Sequence, residues 1–185
     1  VDSFVGSYFH PSTVSRLHVS ESDHFADAAL SVADAAASLR GKVVIVKYGG
    51  NAMTSDELKT CFCQDVAALQ KVGVQVIVVH GGGPQISRLL ETVGVETRFE
   101  EGFRVSTKEV VEVAEMVLCG SINKEISSKI CAAGGRAIGL SGRDDSILQC
   151  VKQEHKDGYD LGDVGLVETV NQETLREFLE LGICP

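Results

Sequence analysis

The chain has 185 residues, of which 44% are hydrophobic and 23% charged, and a formal net charge of −9. That apolar share suffices for one domain with a buried core. The negative balance, without any Lys/Arg run, excludes a nucleic-acid or anionic-membrane partner, because both need a concentrated basic face. No stretch approaches the apolar length of a membrane span, and the opening VDSFVGSYFHPSTVS lacks the basic-then-apolar order of a secretory signal. A soluble, intracellular protein is expected.

Residues 1–22 carry Ser, His, Thr and Gly without periodicity and read as a flexible leader, such as the remnant of a transit segment. From Asp23 the run HFADAALSVADAAASL sets Phe25, Ala29, Val32, Ala36 and Leu39 on one helical stripe, so residues 23–40 form an amino-terminal helix that Gly41 ends. Its small side chains suit either its own domain or a neighbouring subunit. Residues 41–185 then read as one domain.

VVIVKYGG opens that domain with a β-branched run over 43–46, the mark of a parallel strand buried on both faces, with Lys47 at its carboxyl end. Thr54 and Glu57 form a capping-box pattern for a crossover helix carrying Leu58, Phe62, Val66 and Leu69, stopped at Gly73. VQVIVVH repeats the buried-strand pattern at 74–80, which makes the architecture α/β. Pro84 then starts a helix with Ile86, Leu89, Leu90 and Val93 in register, closed by Gly94.

Ser106 with Glu109 forms a second capping box, opening a long helix from Thr107 toward Ala133 in which Gly120 marks a bend or a close packing point. RAIGLSG reads as a short strand, and ILQCVKQE with DVGLVETV as a hairpin around HKDGYDLG. Asn171 caps a last helix ending at Gly182, and Ile183 to Pro185 open a further strand. A chain that starts with Val and stops in mid-pattern reads as a fragment or a processed piece.

The six cysteines, Cys61, Cys63, Cys119, Cys131, Cys150 and Cys184, lie in apolar or helical runs without paired metal-ligand spacing. Reduced, mostly buried thiols are expected. Cys61 and Cys63 have no second Cys/His pair nearby in sequence, so no metal site is expected.

Ligands of a parallel sheet bind outside the carboxyl ends of the strands, and two such ends carry KYGG and HGGG. Gly81, Gly82 and Gly83 let a ligand approach the backbone beside a helix amino terminus, which suits a phosphoryl group, although three glycines also make an ordinary tight turn. Lys47 beside that loop brings a point charge able to neutralise a transferring phosphoryl group, if it is more than a solvated strand-end lysine. Neither Walker A nor GxGxxG is present, since Pro84, Gln85 and Ile86 follow the third glycine. Arg104 stands before a capped helix, where its planar fork could grip a carboxylate; by itself it is as well read as a surface arginine. His80, at a strand end beside glycines, is read as a satisfied structural group rather than an acid or base.

GKVVIVKYGGNAM, VIVVHGGGPQI, FEEGFRVS, EMVLCGSINKEI and GGRAIGLSGRD follow one another over residues 39–185. In this order they resemble the acetylglutamate kinases of the amino acid kinase superfamily. KxGG and HGGG are shared across that superfamily, whereas GFRV with NKEI and GLSG is similar to acetylglutamate kinases in particular. The resemblance implies a three-layer α/β sandwich with a mainly parallel central sheet, residues 41–185 being the N-acetylglutamate-binding domain and the carboxyl-terminal nucleotide domain missing. It implies transfer of the γ-phosphoryl group of ATP to the γ-carboxylate of N-acetyl-L-glutamate in arginine or ornithine synthesis, with Mg2+ and ATP held mainly by the absent domain. By position, Lys47 is the catalytic residue on the phosphoryl group. Gly50, Gly82 and Gly83 bind phosphoryl and reacting carboxylate oxygens, and Arg104 pairs with the substrate α-carboxylate. An asparagine, an aspartate and a second lysine of the family come from segments after Pro185.

Two departures stand out: VSTKEV in place of a VTD beginning, and RDDSIL in place of a KDG-like turn, which removes a glycine where a positive φ is needed. The helix over 23–40 resembles the one that links dimers and borders the inhibitor site in arginine-inhibited hexamers. A homo-oligomer, dimer or hexamer, with arginine feedback is therefore implied, in the cytoplasm or alternatively the plastid stroma. Two other readings compete: a non-catalytic truncated module that binds an acylated amino acid or a partner subunit, and an amino acid kinase with another acceptor.

Overall fold

The structure is a computed structural model that describes residues 25–53, 55–100, 102–153, 158 and 160–185. The expected leader over 1–22 lies outside them. Helix α1, Phe25–Leu39, lies up to Ser38 in the first of two compact units, the second being Leu39–Pro185, and Gly41 is in the left-handed region (φ +74°) just beyond its end. Leu30 and Val32 are exposed.

The second unit is built on a parallel pair. Strand β1, Val43–Tyr48, runs beside β2, Gln75–His80, in a register from Val43 opposite Gln75 to Tyr48 opposite His80. Helix α2, Asp56–Lys71, joins them and ends before Gly73, at φ +87°. The pair forms a two-stranded sheet, beside which the Val78 amide donates to the Pro185 carbonyl (3.0 Å) and the Ile138 amide to that of Cys184 (3.0 Å). The strand expected to open at Ile183–Pro185 is reduced to an isolated bridge at Cys184 and the one bond from Val78 to Pro185. The strand expected in RAIGLSG shrinks to a single bridge, Ala137 to Cys184. Its next carbonyls are taken by side chains, Asn123 donating to Leu140 and Lys124 to Gly139, so no longer ladder forms.

Alternation along the strands sends Val44, Val46, Tyr48, Val76 and Val78 into the core. There Tyr48 stacks on Phe62 of α2 at 3.9 Å, and Cys63, Val66, Ile126 and Ile130 complete the cluster. The other face was expected to be buried too. It is not: Val43, Ile45 and Val79 are exposed, because no described element closes over them. Burial on both faces requires a cover on each.

Helix α3, Gly83–Thr92, follows β2 with Pro84 in its first turn and Gly94 beyond its end, as expected. A short hairpin, β3 (Phe99–Glu100) and β4 (Phe103–Arg104), turns through Gly102. The long helix is real but interrupted. Helix α4, Lys108–Glu115, passes into a wider π-helical stretch, Met116–Ile122, and then into α5, Asn123–Ala132. Gly120 lies in the π stretch. A Cβ there would meet nothing within 4 Å, so Gly120 marks the change of winding and not a packing contact.

Both capping residues sit one position later than expected. Ser55 caps α2 by accepting from the Leu58 amide, while Thr54 lies outside the described residues. Thr107, not Ser106, caps α4 through the Val110 amide. The backbone of Ser106 is held extended instead, its amide on the Leu161 carbonyl and its carbonyl accepting from Asp163, so the helix begins after it.

The expected hairpin is β5, Leu148–Lys152, against β6, Gly165–Val170, antiparallel with an irregularity at Gln149/Cys150. Asn171 caps α6, Gln172–Glu180, as expected. All six cysteines are free, but only Cys63 and Cys184 are buried; Cys61, Cys131 and Cys150 are exposed. Two residues apart on α2, Cys61 and Cys63 point to nearly opposite sides, which corrects the expectation of mostly buried thiols. Burial raises the Cys184 thiol to about 11. Among the described residues no helix is long and apolar enough to cross a membrane, and no cluster of three or more His, Cys, Asp or Glu could hold a metal.

Candidate substrate site

The two glycine-bearing strand ends lie side by side. Tyr48 pairs with His80 across the parallel ladder, and the Gly81 amide donates to the Tyr48 carbonyl (3.2 Å), so KYGG and HGGG leave the sheet together. A Cβ built on Gly49, Gly50, Gly81 or Gly83 would meet nothing within 4 Å. The glycine ends therefore border open space. Gly50 has φ +63°, a conformation that a side chain would strain.

Gly82 is different. A Cβ on it would fall 2.6 Å from Ile122 Cδ1 and 2.8 Å from Leu118 Cδ2, so a side chain there would displace these ends of the π stretch packed against it. It also starts α3, whose amino terminus no side chain caps. The first amides of such a helix lack intrahelical acceptors and, with the helix dipole, favour an anion.

His80 is a satisfied structural group, as expected. Its Nδ1 lies 3.0 Å from the Gly81 carbonyl and its Nε2 3.4 Å from Asn123 Nδ2, a pair that fits the neutral ring protonated at Nδ1. Asn123, at the junction of the π stretch and α5, thereby supports the glycine loop. Sequence reading missed this role, which shows only once α5 is seen to pass beneath the end of β2.

Arg104 is brought directly to the glycine loop. Its Nη2 donates to Ser87 Oγ (2.8 Å) and to the Gly83 carbonyl (3.4 Å), and its Nη1 to Thr97 Oγ1 (3.1 Å). The guanidinium lies over Phe99, its cross-strand neighbour in the β3/β4 hairpin. Every acceptor is a neutral oxygen, and no carboxylate of a described residue pairs with it. The charge stays available to an anion.

Lys47 projects from the exposed sheet face, opposite in direction to the buried Tyr48, and makes no hydrogen bond or ion pair with a described residue. The structure thus joins Arg104 to Gly83 by contact and sets Lys47 opposite Val79, just before the HGGG loop, by strand pairing, while Gly50 opens the 3-10 turn Gly50–Met53 that follows β1. It shows no direct contact between Lys47 and Arg104.

Ser87, Thr97 and Phe99 were not singled out from sequence. The signal for Ser87 was present: it stands four residues after Gly83, hence above it on one helix face. Thr97 and Phe99 depend on the fold-back of a two-residue hairpin.

The amino acid kinase family pattern matches residues 42–185, and the chain belongs to the amino acid kinase family. It is 44% identical over 167 residues to the acetylglutamate kinase of Neisseria meningitidis serogroup C (strain 053442), covering 86% of this chain and 56% of that protein. It is 47% identical over 150 residues to the acetylglutamate kinase of Mycobacterium sp. (strain JLS), covering 80% of this chain and 52% of that one. The chain thus spans about half the length of these relatives. In three dimensions it is similar to the N-acetylglutamate synthase of Neisseria gonorrhoeae solved with coenzyme A and N-acetyl-glutamate, with a TM-score of 0.73 at 19% identity, over 88% of this chain and 37% of that one. That likeness shows the fold.

Proposed function

We propose that the chain is the amino-acid-binding part of an acetylglutamate kinase, which transfers the γ-phosphoryl group of ATP to the γ-carboxylate of N-acetyl-L-glutamate. The observation that carries the reading is Arg104, a guanidinium held by neutral acceptors at the head of α3. Its relatives' names point to the same acceptor.

Arg104 binds the substrate α-carboxylate, an anion that its remaining N–H donors suit. The γ-carboxylate then lies over the open glycine ends. One of its oxygens attacks the γ-phosphorus in line; the new P–O bond forms as the bond to the β-phosphate oxygen breaks, leaving ADP and acetylglutamyl phosphate. The protein's part is electrostatic: Lys47 and the amides of Gly50, Gly82 and Gly83 stabilise charge on the phosphoryl and carboxylate oxygens. ATP enters as co-substrate with Mg2+. We assign both mainly to a second domain, in keeping with relatives of which the match covers only 56%. Assembly as a homo-oligomer through α1, with arginine as inhibitor, belongs to the same reading; unchanged solution mass without residues 1–40 would remove the linking role.

The test is made on the complete gene product. Lys47→Ala is expected to lower kcat on the order of a hundredfold, as loss of a transition-state charge partner does, with little change in KM for N-acetyl-L-glutamate. A variant with unchanged kcat contradicts the assignment.

A further inference from the structure

We infer that Ser87 is a positioning residue that fixes the Arg104 fork for the substrate α-carboxylate, with Thr97 as its second anchor; the inference rests on the function proposed above. A Ser hydroxyl has one proton and two lone pairs. Ser87 donates its proton to the Gly83 carbonyl, one helical turn back (3.1 Å), and so turns its lone pairs toward Arg104 Nη2, which donates at 2.8 Å. The Gly83 carbonyl also accepts from Nη2 (3.4 Å). Arginine, hydroxyl and glycine carbonyl thus close a triangle at the first turn of α3.

The triangle has two consequences. It ties the guanidinium to the same turn whose amides face the phosphoryl position, so the spacing between the two ends of a bound substrate is held by one helix turn and not by a flexible side chain. It also leaves the charge whole. These three bonds use three of the five guanidinium donors, all on neutral oxygens, and two remain for a carboxylate. A carboxylate at position 87 would fix the fork equally well but would compete with the substrate for it. Serine is small enough for that turn and neutral.

The experiment is steady-state kinetics of the complete gene product with MgATP and N-acetyl-L-glutamate, on wild type, Ser87→Ala, Ser87→Thr, Arg104→Ala and the double variant Ser87→Ala/Arg104→Ala. Ser87→Ala is expected to raise KM for N-acetyl-L-glutamate about tenfold, the scale of a lost hydrogen bond to a charged group, with kcat and KM for ATP within about twofold. Ser87→Thr, which keeps the hydroxyl, restores the wild-type KM. In the Arg104→Ala background the serine change adds nothing, as expected of residues acting through one another. An unchanged KM in Ser87→Ala, beside a raised KM in Arg104→Ala, overturns the inference and leaves the proposed function standing. If Arg104→Ala also leaves KM unchanged, the carboxylate reading itself fails. Should Ser87→Ala not fold, Thr97→Ala in the exposed loop carries the same test: a raised KM supports the clamp, and an unchanged one refutes it.

Discussion

Arg104 stands directly across the β3/β4 hairpin from Phe99, with its guanidinium carbon 4.6 Å from the centre of the ring. The ring is more than half exposed, so it contributes little to the core and acts as a platform for the cation. Cation–π contacts at exposed sites contribute about 0.5–1 kcal/mol. Phe99→Leu is therefore expected to leave thermal stability nearly unchanged and to raise KM for N-acetyl-L-glutamate about threefold. Initial-rate kinetics beside a thermal melt checks both halves.

Gly82 and Gly83 are adjacent in sequence but differ in what a side chain would meet. At Gly82 a Cβ runs into Leu118 and Ile122, and Ile122 is buried, so Gly82→Ala is expected to destabilise by about 1–3 kcal/mol as an overpacking change. At Gly83 the space is open. Gly83→Ala is expected to stay within about 0.5 kcal/mol of wild type in stability, yet to lower turnover on the order of a hundredfold by displacing the reacting groups. Urea unfolding and kcat measured on both variants would show this crossover.

The turn Asp144–Ser146 offers a pH test. The Asp144 carboxylate accepts from the Ser141 amide and hydroxyl, which holds it below the usual carboxylate range. A carboxyl lowered in the folded state adds stability above its unfolded pKa and loses it as pH falls through the folded value. Asp144→Asn is expected to melt at a lower temperature than wild type near pH 7, with the gap closing below about pH 4. A gap that does not change with pH would mean that the bonds to Ser141 do not depend on the charge.

In the same turn two residues with side chains, Asp145 (φ +44°) and Ser146 (φ +50°), occupy the left-handed region. Asp145 is held there: its backbone carbonyl and carboxylate accept from Asn171, and its carboxylate also accepts from Thr174. Ser146 has no such anchor among the described contacts, so Ser146→Gly is expected to stabilise by about 0.5–1 kcal/mol. Asp145→Gly, which removes the anchor, is expected to bring no gain. Thermal melts of the two single variants distinguish them.

This turn also shows how far the sequence could be read. RDDSIL lacks the glycine that its place in the chain calls for, and the missing glycine correctly marked where positive φ occurs; the compensation by Asn171 and Thr174 involves residues more than twenty positions away and leaves no local trace. The parallel pair, its crossover helix and the glycine stops at Gly73 and Gly94 were legible because strand and helix periodicity and φ > 0 positions are local signals. The caps were displaced by one residue because adjacent Thr54–Ser55 and Ser106–Thr107 each offer two hydroxyls, and only tertiary contacts decide between them. The π stretch was hidden because a seven-residue change of winding leaves the apolar pattern largely intact. Likewise, the exposure of Val43, Ile45 and Val79 depends on what covers the sheet and not on the strands themselves. At the candidate site, Gly82, Gly83 and Arg104 were legible from spacing and resemblance, while Ser87 and Phe99 required the hairpin to be seen against α3.

The most direct test of the central claim is trapping of the acyl phosphate as its hydroxamate, with the complete gene product, MgATP and a panel of N-acetyl-L-glutamate, L-glutamate and L-aspartate. Hydroxamate formed from N-acetyl-L-glutamate, lost in Lys47→Ala and demanding far more substrate in Arg104→Ala, is the expected result. Equal product from L-glutamate or L-aspartate, or none from N-acetyl-L-glutamate, would contradict it.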